Sequence, residues 1–221
     1  MPYPKKQIIF GGCGGMYNYL LGVASVLQHK MDLRDCVFCG VSAGCFPAML
    51  LALGEPIDTI NEKWNIPFLR EVNNHTFGAF GVWNSIVRKY TMEHLPQDAY
   101  KQLSGKLYIS ITRLHPYMKL KNEIISHYDS NKMLVNALIA SSFVPFFDTK
   151  LTHNYNGGCY LDGSLTNGNP IPFPNVPTMK FTIDKWRPIK LSWLWCWSDE
   201  NWTRQLYKLG KHDANNHHKK N

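Results

Sequence analysis

Two short apolar runs, each ending in glycine and each followed by a helical pattern, constrain this chain more than any other feature. "KQIIFGG" (6–12) reads as a buried strand, and "YLLGVASVLQHKM" follows with Leu20, Val23, Ala24 and Leu27 on one helical face. "CVFCG" (36–40) reads as a second buried strand, and "AGCFPAMLLALG" as a second helix ending at Gly54. A chain that alternates strand and helix must cross back over its own sheet, so the two strands pair parallel and the fold class is α/β.

The rest of the 221 residues extends that sheet within one domain. "KLYISITRL" and "NEIISHY" read as neighbouring strands, "GGCYL" as a strand running into a Gly/Asn/Pro loop, and "TMKFTIDKW" as the last clear strand. "SNKMLVNALIASSFVP" reads as a helix capped by Ser130 or Asn131 and stopped before Pro145. Residues 55–103 are less regular and rich in aromatics (Trp64, Phe68, Phe77, Phe80, Trp83, Tyr90), with "SIVRKYTMEHL" a helical piece; between turns, these aromatics suit a lid. "DENWTRQLYKLG" reads as a terminal helix. The expected organisation is a domain over 1–203 and a basic tail over 204–221, where Arg204, Lys208, Lys211, Lys219 and Lys220 face only Asp213.

Ser42 stands at the second strand–helix junction, flanked by Gly40 and Gly44 as Gly-x-Ser-x-Gly. A nucleophile elbow needs an upstream strand, small neighbours that permit a sharp turn, and a helix that starts just after the serine; "VFCGVSAGCFPAMLLAL" has all three. The plain alternative is a glycine-rich turn with no chemistry. A second glycine loop, "FGGCGGM" (10–16), lies between the first strand and helix. It matches neither a dinucleotide fingerprint, since Tyr17 takes the last glycine's place, nor a P-loop, and beside a serine elbow its N–H groups suit an oxyanion. A serine needs a base. Of nine histidines only His212, His217 and His218 follow Asp162, all in the polar tail, so a Ser–Asp–His order is poorly supported. Asp162 itself ends an apolar strand and precedes Gly163, where it can meet a serine at the end of a neighbouring parallel strand.

Composition bounds the partners. Lys and Arg number 24 against 16 acidic residues, a net charge of +8 that favours anionic partners such as lipid headgroups or nucleic acid. The apolar run near the N-terminus is too short for a signal peptide and no stretch approaches a membrane span, so the expected location is intracellular, cytoplasmic or peripheral to a membrane. Six cysteines then read as free thiols; Cys36 and Cys39 have a C-x-x-C spacing without a second pair to complete a zinc site. "KWRPIKLSWLWCW" places Trp186, Trp193, Trp195 and Trp197 among basic residues. That suits a membrane interface, or one face of a core strand through Trp193, Trp195 and Trp197. On the interface reading, deleting 204–221 weakens binding to anionic vesicles and spares soluble-ester chemistry.

Taken together, the glycine loop, "GVSAG", "ALIASSFVPFF" and "YLDGSLTNGNPI" resemble the patatin-like phospholipases over roughly residues 7–172. "FGGCGGMYNYLLGVASVL" is similar to the adipose triglyceride lipase branch. Met16 stands where many members carry a base, Tyr17 where a last loop glycine is usual, and Ser164 where the final glycine of D-G-G is usual. The resemblance implies a three-layer sandwich with a central, mostly parallel sheet. It implies Ser42 as nucleophile, Asp162 as general base, and the N–H groups of Gly12, Cys13, Gly14 and Gly15 as oxyanion donors. It implies no cofactor or metal. The activity it implies is hydrolysis of lipid acyl esters through an acyl-enzyme, with phospholipid or lysophospholipid placed ahead of triacylglycerol. Partners are then a lipid substrate or lipid surface and no nucleic acid. A thioesterase or transacylase with the same dyad, and a catalytically silent lipid-binding scaffold, stand as rivals.

Overall fold

The computed structural model describes residues 3–77, 79–145, 147–148, 150–195 and 200–218. Its first half follows the strand–helix alternation. β1 (Lys6–Phe10) leads through the glycine loop into α1 (Tyr17–Lys30), and β2 (Cys36–Val41) through a tight turn at Ser42–Gly44 into α2 (Cys45–Leu53). Then come α3 (Ile57–Ile60), a wide turn at Asn61–Asn65, α4 (Ile66–Asn73), α5 (Trp83–His94) and α6 (Ala99–Leu103). A long β3 (Leu107–His115) pairs with β4 (Lys119–Ile125), and α7 (Asn131–Ser141) starts at Ser130, whose side chain accepts from the Met133 N–H. β5 (His153–Tyr155), β6 (Gly158–Leu161), β7 (Thr178–Phe181) and α8 (Glu200–His218) complete the chain.

The architecture is a three-layer α/β fold with a central sheet. The strand order is β5-β6-β3-β2-β1-β7, with β4 also paired to β3. Pairing is parallel from β7 through β1 and β2 to β3 and antiparallel at β4, β5 and β6. Period-two alternation decides which residues enter the main core: Ile8, Phe10, Phe38, Leu107 and Ile109 are fully buried in it with residues of α1, α2 and α7. From the alternate positions, Gln7 donates to the Phe173 carbonyl and Tyr108 meets the Phe173 ring edge-on.

β3 organises one end of the sheet. One of its edges carries β4 along most of its length. Its other edge carries β2 as far as Val41 opposite Ser110, and then β6, running the opposite way, down to Leu161 opposite Thr112. Two strands thus run toward each other along one edge and stop one residue apart.

The segment expected as a basic tail is, through His218, mostly the helix α8. Thr203, Leu206, Tyr207, Asp213 and Ala214 are buried, and α8 lies against α1. The two helices touch backbone to backbone: a Cβ on Gly22 would collide with the Tyr207 carbonyl, and one on Gly210 with the Tyr19 carbonyl. Asp58 fastens the contact by accepting from Ser25, Tyr207 and Lys211. Lys219 and Lys220 lie outside the described residues. No helix among the described residues is long and apolar enough to cross a membrane.

Candidate active site

Ser42 is the first residue beyond β2, with φ at 54°, in the left-handed region that a β-carbon disfavours. Its flanking glycines explain how the turn closes. A Cβ on Gly40 would strike the Cys45 backbone, and one on Gly44 would strike the Gly11 carbonyl. Asp162 is the first residue beyond β6. Because β2 and β6 converge on one edge of β3, the two side chains meet, and Ser42 Oγ donates to Asp162 Oδ2 at 2.6 Å. The sequence suggested a neighbouring parallel strand for Asp162. The strand is instead antiparallel and abuts β3, a register set by pairings far apart in the chain.

Both residues are held from behind. The Ser42 N–H donates to Ser141 Oγ at 2.9 Å, and Ser141 Oγ donates to the Ser110 carbonyl at 2.6 Å. Ser141, fully buried at the end of α7, therefore ties the elbow to β3. The Asp162 backbone is fixed by its N–H on the Phe143 carbonyl and by Thr112 Oγ1, which donates to the Asp162 carbonyl at 2.8 Å. Its second carboxylate oxygen, Oδ1, accepts the Ser164 N–H at 2.8 Å. Burial pushes the Asp162 carboxyl above the ordinary aspartate range, and the hydrogen bonds from Ser42 and Ser164 pull partly the other way. Sequence reasoning did not single out Ser141 or Thr112, because each acts through a backbone group brought near only by folding.

An open cleft of about 670 Å³ lies over this pair. Gly12, Cys13 and Gly14 line it with Ser42 and Asp162, whereas Gly15 faces an adjoining apolar cavity beneath the Trp193 and Leu194 carbonyls. The N–H groups of Gly12, Cys13, Gly14 and Gly15 make no hydrogen bond among the described residues. Ser164 has its hydroxyl over Gly12, which has room for it because it lacks a Cβ. Tyr17 opens α1 and packs edge-on against Phe46, so this departure becomes part of the apolar cavity's wall.

That second cavity shares Gly14, Ala43, Phe46 and Trp83 with the cleft and runs between α4 and α5 past Trp64, Phe68, Leu69 and Val87. The aromatics expected in a lid thus divide: Trp64, Phe68 and Trp83 sit on helical turns and wall a cavity, while Phe77 and Phe80 are exposed between α4 and α5. Leu191–Trp195 is a tight helical turn, not a strand, and the Leu194 carbonyl lies against Gly14 and Gly15 of the glycine loop. Trp193 packs edge-on against Trp202. Trp197 and the side chain of Trp195 lie outside the described residues. Cys36 and Cys39 are buried strand residues in β2. No described histidine lines the cleft: His212 lies near Asp213 on α8 and His217 stacks on Trp186.

A serine hydroxyl bonded to a partly buried carboxylate, beside a glycine loop and an apolar cavity, defines a serine–carboxylate site at the ends of sheet strands. The family model for patatin-like phospholipases matches residues 8–173, and the chain belongs to that family. It is 34% identical over 172 residues to patatin-like phospholipase domain-containing protein 4 of Homo sapiens, covering 75% of this chain and 66% of that protein. It is 28% identical over 176 residues to the 1-acylglycerol-3-phosphate O-acyltransferase Pnpla3 of Mus musculus, covering 77% of this chain and 42% of the relative. With the omega-hydroxyceramide transacylase of Homo sapiens it shares 30% identity over 178 residues, 78% of this chain but 33% of the relative. The chain thus spans less than half of the latter two. VipD from Legionella pneumophila shares the fold at a TM-score of 0.52 and 14% identity, over 81% of this chain and 50% of VipD.

Proposed function

We propose that the chain is a serine acyl hydrolase of lipid esters that works through Ser42 and Asp162. The observation that carries this reading is the 2.6 Å hydrogen bond from Ser42 Oγ to Asp162 Oδ2 at the floor of the cleft, with no histidine of the described residues lining it. As Ser42 Oγ attacks an ester carbonyl, Asp162 takes its proton and the glycine-loop residues that line the cleft, Gly12, Cys13 and Gly14, offer their N–H groups to the developing oxyanion, whereas Gly15 faces the apolar cavity. Asp162 then returns the proton to the leaving alcohol oxygen, and the acyl group stays on Ser42. The apolar cavity between α4 and α5 receives the chain, since Ala43 and Phe46 border both spaces. In the second half, Asp162 takes a proton from water, whose oxygen attacks the acyl-enzyme; the fatty acid leaves and Ser42 recovers its proton. An alcohol in the place of that water would receive the acyl group instead, and the transferase names of two relatives make this the second reading.

Incubation with a serine-directed fluorophosphonate followed by peptide sequencing tests the site, and labelling at Ser42 is the expected result. Ser42→Ala and Asp162→Asn should each lower turnover of a short soluble ester by at least about 10³-fold, and the double variant should be little worse than either. Absence of labelling in a folded protein, with and without lipid, would favour a silent lipid-binding scaffold. Abolition of turnover by His212→Ala with Asp162→Asn near normal would replace the dyad with a triad.

A further inference from the structure

The hairpin of β3 and β4 runs on past the parallel part of the sheet and ends in apolar side chains. β3 makes its last pair with β2 at Ser110, opposite Val41, and continues to His115. At about 3.4 Å per residue, this carries the turn Pro116–Met118 about 17 Å beyond the strand end that holds Ser42. Tyr117 and Met118 form the turn with φ of 60° and 59°, both in the left-handed region. A turn that needs positive φ at two successive positions ordinarily takes Asn and Gly, because a β-carbon is disfavoured there. Here the two places hold a tyrosine and a methionine, 94% and 78% exposed. Neither side chain buries enough surface on this chain to offset that cost. Alternation sorts the arms of the hairpin into two faces. Leu114 lies opposite Leu120 on one face, with Thr112 opposite Asn122 next along it. Leu120 is exposed, and Asn122 Nδ2 reaches Thr166 Oγ1 at 3.4 Å. Thr166 follows Leu165, which is itself exposed and lines the cleft over Ser42 and Asp162. The apolar face thus leads from the tip of the hairpin to the rim of the cleft. The other face is basic. Lys119 and Lys121 are exposed and form no ion pair among the described residues, whereas Glu123 is taken up by Arg113 and Tyr160.

We propose that the β3–β4 hairpin anchors the protein on an anionic lipid bilayer, with Tyr117, Met118 and Leu120 entering the interface and Lys119 and Lys121 meeting the headgroups. The binding step stands on the hairpin itself; its use in bringing the cleft to lipid rests on the serine hydrolase reading above. Charge chooses the occupant. A tyrosine and a methionine flanked by lysines make an apolar wedge with a cationic collar, and lysine stems lie along such a wedge while their ammonium groups stay at headgroup level. Each lysine near an anionic leaflet adds an attraction that salt screens. A second copy of the chain docked tip to tip would instead bring the same unpaired lysines against each other.

The test uses the full chain and sedimentation with phosphatidylcholine vesicles, with and without phosphatidylserine. The wild type should bind the phosphatidylserine vesicles, less so as salt is added, and should bind phosphatidylcholine alone more weakly. The double variant Tyr117→Asn/Met118→Gly suits the turn and removes the wedge. It should keep or raise the melting temperature, leave turnover of a short soluble ester unchanged, and weaken binding to phosphatidylserine vesicles by at least about tenfold. Lys119→Gln/Lys121→Gln should reduce the salt dependence and leave binding to phosphatidylcholine as it was. Undiminished vesicle binding in the turn variant would overturn the proposal, as would a wild type that does not sediment. A lower melting temperature in the turn variant would assign the two side chains to packing within the chain and overturn it as well. A wild type that self-associates away from vesicles, and a turn variant that is monomeric, would make a second copy the occupant instead. Fluorophosphonate labelling of wild-type Ser42 separates the two levels. A labelled serine without vesicle binding removes only the anchor, whereas hairpin-dependent binding with an unlabelled serine removes the hydrolase reading and leaves the anchor in place.

Discussion

On the proposed mechanism Asp162 must be ionised to take a proton, yet its place in the fold favours the protonated form. Burial raises its pKa above the ordinary aspartate value of 3.8, and the bonds from Ser42 and Ser164 offset only part of that rise. A folded-state pKa above the unfolded one means that the folded protein holds this proton more tightly. The stability this contributes is fully present below the unfolded value and is lost as pH rises through the raised folded value. Above that window the buried charge is a standing cost. Asp162→Asn should therefore melt at a higher temperature than the wild type at pH 7, with the difference closing below about pH 4. The same variant loses esterase activity by the 10³-fold or so given above. Melting curves from pH 3.5 to 8 on both proteins check the sign, and a variant that melts lower at pH 7 would contradict it. For the wild type, the acid limb of kcat/KM should lie above the ordinary aspartate range for the same reason.

At the scale of elements, the α1–α8 contact decides more than its polar sequence suggests. Alanine in place of a free helical glycine stabilises a helix by about 0.8–1 kcal/mol. At Gly210 the added methyl would meet the Tyr19 carbonyl, so the helices must part. Gly210→Ala should therefore destabilise the protein by about 1–3 kcal/mol, and Gly210→Val by more. Urea unfolding reads the sign directly, and a stabilised Gly210→Ala protein would mean that the helices do not touch there. The first strand–helix pairs, the elbow, the Ser130 cap and the adjacency of β3 and β4 were legible because each is written in local periodicity and turn residues. The α8 stripe, with Thr203, Leu206, Tyr207, Gly210 and Ala214 at helical spacing, was also present but masked by the surrounding lysines. The convergence of β2 and β6 on one edge of β3 had no local signal, because it depends on pairings such as Val41 with Ser110 and Thr112 with Leu161, between segments well separated in the chain.

At the scale of the whole molecule, α8 covers α1 although it lies beyond the residues matched by the family model. The glycine loop opens directly into α1, and α1 is covered by α8. Polar ties reinforce the cover. Asp213 accepts from Tyr19 of α1 and from Arg187 of the segment leading toward the Leu194 cap. Glu200 and Glu62 bind Arg204, and Glu200 also binds Arg70 of α4, a helix that walls the apolar cavity. Surface ion pairs of this kind are each worth about 0–1 kcal/mol, so most of the helix's contribution comes from its buried apolar stripe. A chain ended after residue 199 should therefore lose soluble-ester activity together with its cooperative melting transition, in contrast to the sequence expectation that removal of 204–221 affects only vesicle binding. Charge and packing can be separated with Lys208→Gln, which changes an exposed residue and leaves the buried stripe in place. That variant should keep the wild-type melting temperature and soluble-ester turnover, and any part it plays at an anionic surface will appear as weaker, salt-sensitive sedimentation with vesicles. Calorimetry and ester kinetics on both proteins decide the matter: if the shortened chain melts and turns over like the full one, α8 is an appendage and the glycine loop is held by the sheet alone.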